Sequence, residues 1–131
     1  MFLFQVSHKT HNIMKLKTAV DYQTGRIMAT DIVKNDNGQA SLMAFDEGAT
    51  IAVHKAPGDA LVQVLEGDVV FVVEGEKREL TEGDYFTMSV GMVHEVYAVK
   101  RSKVLLTLIK TDVCGCSEKD KAQAEELLPE A

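Results

Sequence analysis

Short apolar runs cut by turns set the rhythm of this chain, and that rhythm constrains the fold more than any other feature. The runs are "IMATDIV", "ASLMAF", "TIAVH", "ALVQVL", "VVFVV", "REL", "YFTM", "HEVYAV" and "KVLLTLI". Each is too short for an ordinary globular helix. Between them lie "NDNG", "DEG", "PGD", "EGD", "EGEK", a second "EGD" and "SVGM". Gly and Asn accept the positive φ of tight turns, and Asp hydrogen-bonds its own backbone there. Many β-branched strands at short spacing predict an all-β barrel or sandwich.

Two runs break the alternation of a half-exposed strand. "VVFVV" (Val69 to Val73) is apolar on both faces, and "VLLTLI" (Val104 to Ile109) is nearly so. A strand with two apolar faces has to be covered twice. A small barrel covers only its inner face. The second cover is a second sheet, a terminal segment or another subunit, and a homodimer is expected on this ground.

Composition narrows the partners. The chain has 131 residues, a size that suits one domain, and 46% of them are hydrophobic, enough to fill one core. The formal net charge is -6. That argues against nucleic acid as the partner, because phosphate binding needs clustered Lys and Arg. The nearest cluster, "VKRSK" (Val99 to Lys103), reads as a polar turn. No run approaches the roughly 18 apolar residues of a membrane span. The opening "MFLFQV" is too short for a secretory segment, so a cytoplasmic protein is expected.

The ends differ from the middle. Residues 1–14 read as a mobile leader carrying His8 and His11, with Met14 as an alternative start. Residues 15–113 read as the barrel. Residues 114–131 read as a helical tail: Ser117 and Asp120 have a capping-box spacing, helix formers follow, and Pro129 ends the run. A frayed tail is the alternative. Cys114 and Cys116 make no secreted disulfide framework, and they read as structural or incidental thiols.

Chemistry enters at two segments, "GATIAVHKAPGDALVQVLEG" (Gly48 to Gly67) and "GDYFTMSVGMVHEVYA" (Gly83 to Ala98). Each starts at a Gly turn, reaches a His at a strand end and continues as a strand. This resembles the cupin superfamily, in particular its small single-domain members of the cupin 2 conserved-barrel type, over roughly Lys34 to Lys110. The resemblance implies a double-stranded β-helix, or jelly-roll, barrel, here with the short C-terminal helix. Gly48, His54 and Gly67 fall in register with the first family motif, and Gly83, Gly91 and His94 with the second.

The departures bear on function. In family members with the full motifs, three histidines and a glutamate bind a divalent metal. Here the second histidine falls on Ala56, and the glutamate on Ala60, or on Asp59 if the turn is one residue shorter. Ser89 replaces the family proline and Ala98 the asparagine. His54 and His94 remain as the candidate metal ligands. Two neutral imidazoles bind a divalent ion weakly, because such sites normally take three or more protein ligands. Waters, Asp59 or Gln63 could complete a reduced site, although strand alternation turns Gln63 outward if Ala60, Val62 and Val64 point in. No cofactor is expected beyond such a weakly held divalent metal.

The expected pocket is lined by Ala56, Ala60, Val62, Val64, Phe86, Met88, Val96 and Ala98, with the two histidines facing each other. They would meet a ligand carboxylate or hydroxyl as donors, or act as an acid–base pair. Two functions follow. One is a barrel that binds a small, largely apolar molecule. The other is a metal-dependent enzyme, an oxygenase or isomerase, with a two-histidine site. Loss of ligands at Ala56 and Ala60 favours the first, and retention of both histidines favours the second.

Overall fold

The computed structural model describes residues 2–3 and 13–110. The proposed tail over residues 114–131, with Cys114 and Cys116, lies outside the described residues, as do His8 and His11. Within them the chain is all-β. The strands are β1 (Phe2–Leu3), β2 (Ile27–Asn35), β3 (Gly38–Phe45), β4 (Thr50–Lys55), β5 (Asp59–Glu66), β6 (Asp68–Val73), β7 (Glu76–Thr81), β8 (Tyr85–Met88), β9 (Val93–Ala98) and β10 (Ser102–Ile109). A single 3-10 turn, Leu16–Thr18, precedes β2.

The strands form two facing sheets, a six-stranded one in the order β1-β2-β3-β10-β5-β8 and a four-stranded one in the order β4-β9-β6-β7. β1 runs parallel to β2, and every other pair is antiparallel. β10 sits between β3 and β5, so the last strand fills the middle of the larger sheet. This crossing is the jelly-roll arrangement expected from the sequence.

Period-2 alternation decides what goes inside. On β5, Ala60, Val62 and Val64 turn inward and are almost wholly buried. On β6, Val69, Phe71 and Val73 do the same, and on β10 the inward residues are Val104 and Leu108, with Leu106 packed against them. Burying such side chains fully contributes about 1.5–3 kcal/mol each.

The outer face of the six-stranded sheet carries a second cluster of Leu42 and Ala44 from β3 with Leu65 and Leu105. The chain covers it itself. Val20, Ala19 and Tyr22 of the segment before β2 pack onto these residues. Of the three covers expected for "VLLTLI", a terminal segment is therefore the one found. Tyr22 locks this strap: its phenol donates to Glu66 Oε2 at 2.5 Å. Arg101 and Lys103 stand over its ring, 5.2 and 5.0 Å from the centroid. Burial, and then Glu66, push the phenol above its ordinary pKa. Lys103 is itself buried and donates to the Lys17 carbonyl.

One junction ties the sheets at the β5–β6 turn. Gly67 has φ +96° and lies against the start of β10, where an added Cβ would meet Ser102 Oγ and lie 2.5 Å from Arg101 O. Ser102 is fully buried. Its hydroxyl accepts from the Asp68 amide at 3.0 Å and donates to Lys100 O at 2.7 Å.

Candidate functional site

The two histidines meet because their strands pair. β4 and β9 run antiparallel with His54 registered opposite His94. Side chains directly opposite on one face touch. The two rings stand 4.0 Å apart between centroids, tilted by 59°. Phe71, on the next strand, stacks on His94 at 6.4 Å. His94 is buried, while His54 is half-buried toward the open side.

Both rings are oriented in the same way. His54 Nδ1 lies 2.9 Å from the Ala52 carbonyl, and His94 Nδ1 lies 3.1 Å from the Met92 carbonyl. A carbonyl oxygen only accepts, so each Nδ1 carries the hydrogen and donates it. In the neutral ring Nε2 is then a lone pair. Burial lowers the pKa of His94, the Met92 carbonyl opposes this, and the neighbouring His54 adds a smaller lowering. The expectation that the histidines serve as donors to a ligand therefore changes: as neutral rings they are acceptors.

They face a cavity of about 1040 Å³ between the sheets. Of the residues expected in the pocket, Ala56, Ala60, Val62, Met88 and Val96 line it together with His54 and His94. Val64, Phe86 and Ala98 do not. They lie where the sheets close on each other. Phe86 packs edge-on against Phe71 at 4.9 Å, and Val64 and Ala98 are buried in the same core. The cavity also takes Met43 and Phe45 from β3, Phe71 from β6, and Leu106 and Leu108 from β10. The alternation in "ASLMAF" and "VVFVV" could have named the first three. Attention to the two histidine segments alone leaves them out.

Asp59 and Gln63 do not reach the histidines. Asp59 Oδ1 accepts from the Val90 amide at 3.0 Å on the exposed loop side, and neither residue lines the cavity. Among the described residues no group of three His, Cys, Asp or Glu could hold a metal. Ala56 and Ala60, at the positions of the family's missing ligands, are 1% and 4% exposed and apolar. The donor set present does not fit the family's four-ligand metal arrangement.

Two sheets closed as a double-stranded β-helix, with paired histidines at one side of a cavity open to solvent, define the class. The chain belongs to the cupin family: the family's cupin domain matches residues 41–110, more than half of the 131. A conserved protein of unknown function from Streptococcus pyogenes has the same fold, with a TM-score of 0.75 and 24% identity over 86% of this chain and 97% of that one. A cupin 2 conserved barrel domain protein from Leptotrichia buccalis is 34% identical, with a TM-score of 0.71 over 74% of this chain and 47% of that one. A salicylate 1,2-dioxygenase from Pseudaminobacter salicylatoxidans shares the fold at 19% identity and a TM-score of 0.58, over 63% of this chain and 26% of that one. No curated protein matches the chain. Among the described residues no helix is long and apolar enough to cross a membrane.

Proposed function

We propose that this cupin is a binding barrel for a small amphipathic molecule. The apolar body of the ligand fills the cavity, and a hydroxyl or similar donor reaches the imidazole pair. One observation carries the reading: two imidazoles, each with Nδ1 committed to a backbone carbonyl, present acceptor nitrogens to a large cavity with mostly apolar walls. A concave apolar site with a few fixed polar groups is the usual form of a small-molecule site. Loss of metal ligands at Ala56 and Ala60 supports binding over metal-dependent catalysis, and it also leaves volume for a ligand.

The test is calorimetric titration and thermal unfolding with para-propylphenol, a neutral probe with one hydroxyl and an apolar body. The wild type should bind it and melt at a higher temperature, since a ligand of the native state stabilises it. Ala60→Phe puts a ring into the cavity and should weaken binding while the protein still folds. His94→Phe should weaken binding and keep the packing. Elemental analysis of untagged protein runs beside this. One equivalent of metal, lost in both His54→Ala and His94→Ala, would overturn the binding reading in favour of the metal-dependent enzyme. So would a failure of the probe to raise the melting temperature at millimolar concentration.

A further inference from the structure

The net charge of the chain is -6, with 20 acidic against 14 basic residues. The cavity reverses that balance. Among the described residues no Asp or Glu lines it, and Arg26 is the one Lys or Arg there. Arg26 is exposed and stands at the open rim of the cavity, so an anionic end of a ligand would meet it there rather than deep among the apolar walls.

Arg26 also has no side-chain partner among the described residues. The chain has three arginines, Arg26, Arg78 and Arg101. Arg78 pairs with Glu76 at 3.1 Å, and Arg101 with Asp46 at 2.8 Å. Among the described residues the Arg26 side chain makes neither an ion pair nor a hydrogen bond. The carboxylate of Asp46, whose amide pairs with Arg26 O, is already engaged: it accepts from the Gly25 amide at 2.6 Å as well as from Arg101. Those contacts hold its carboxyl down at about 2, so it stays an anion matched to Arg101. The planar donor fork of an arginine can take a carboxylate in two parallel hydrogen bonds.

The imidazoles suit the other end of a ligand. With each Nδ1 committed to a backbone carbonyl, a neutral ring has only an acceptor left at Nε2, which matches a hydroxyl. The two polar positions are also separated along the cavity. The Asp46 amide donates to Arg26 O and the Ala49 amide to Asp46 O, which sets Arg26 beside the start of β4. His54 lies four residues beyond Thr50 on that strand, roughly 13 Å of extended chain. Phe45, Ile51, Val96 and Leu106 line the apolar wall of the same cavity.

From this juxtaposition we infer that the ligand is a two-ended anion, a hydroxylated carboxylic acid with an apolar body, held by its carboxylate at Arg26 and by its hydroxyl at His54 and His94. The inference rests on the binding-barrel reading and adds the charge and the polarity of the ligand.

The experiment titrates three probes into the full chain and into Arg26→Gln. They are para-hydroxyphenylpropanoate, its methyl ester, and para-propylphenol. The wild type should bind the acid roughly fivefold more tightly than the ester, the scale of one exposed ion pair. That preference should vanish in Arg26→Gln, return in Arg26→Lys, and shrink in molar salt. Para-propylphenol should bind wild type and Arg26→Gln alike. Equal binding of acid and ester by the wild type, or a preference that survives Arg26→Gln, would overturn the inference. Binding of para-propylphenol without the acid would also overturn it, while leaving the binding barrel standing. Binding of none of the three would overturn both.

Discussion

Gly67→Ala should destabilise the barrel severely, and the structure separates two causes. The first is conformational. Gly67 has φ +96°, where an L side chain costs about 1–2 kcal/mol. The second is contact. The new Cβ would lie 2.5 Å from Arg101 O and 2.6 Å from Ser102 Cα, with Ser102 Oγ closer still. The hydroxyl can rotate, but the backbone atoms cannot leave without moving the start of β10. That movement breaks the hydrogen bonds of Ser102 to Asp68 and Lys100, at about 1 kcal/mol each. Together the loss is about 3–4 kcal/mol, a large part of the roughly 5–15 kcal/mol that holds a domain together. Gly83→Ala is the control. Gly83 has a similar φ of +91°, but among the described residues nothing lies within 4 Å of its Cβ, so only the first cause acts. Urea unfolding of both variants reads the difference. At a slope of about 1.5 kcal/mol per molar, Gly67→Ala should shift the midpoint by roughly 2 M and Gly83→Ala by roughly 1 M. Equal shifts would refute the argument that close approach of β10 to this turn matters.

Other outcomes follow from single contacts. Burial holds His94 below its ordinary pKa of 6.5, so the unfolded chain takes up that proton more readily. Stability should hold above pH 6.5 and fall as the pH drops below it, and His94→Gln should remove that part of the slope in chemical denaturation. Thr30 Oγ1 is buried without a partner among the described residues, so the isosteric Thr30→Val should stabilise by about 1 kcal/mol in thermal melts. Tyr22→Phe keeps the ring under Arg101 and Lys103 but removes the bond to Glu66, and should cost about 1.5 kcal/mol by the same measurement. Light scattering at micromolar concentration addresses the expected homodimer. A monomer there would show that "VVFVV" is covered by its own chain.

Much of the fold is legible in the sequence because strand period and turn chemistry are local. "VVFVV" and the inward set of "ALVQVL" can be read residue by residue, and the structure gives both the faces the alternation requires. Gln63, odd in that alternation, indeed does not line the cavity. The strap is another matter. Nothing local marks Val20 and Tyr22 as the cover for Leu42 and Leu105, because that contact joins residues far apart in the chain. The histidine pairing follows from the spacing of the two Gly-to-His segments. The role of the pair does not, since it turns on which ring nitrogen faces Ala52 O and Met92 O. Arg26 carries no motif at all. It becomes visible only when β2 is laid beside β3 and the wall of the cavity is complete.

The central place of β10 has a consequence for how the molecule comes into being. On a ribosome, β3 and β5 emerge early with their facing edges open, because the strand that joins them, Ser102–Ile109, is translated last of the ten. Until then each presents an unpaired apolar edge, the kind of edge along which unfinished chains associate. The cavity wall is also incomplete until then, since Val104, Leu106 and Leu108 supply part of it. A nascent chain halted before Val104 would hold both histidines and no chamber for them to face. The chamber is therefore completed only when β10 takes its place between β3 and β5.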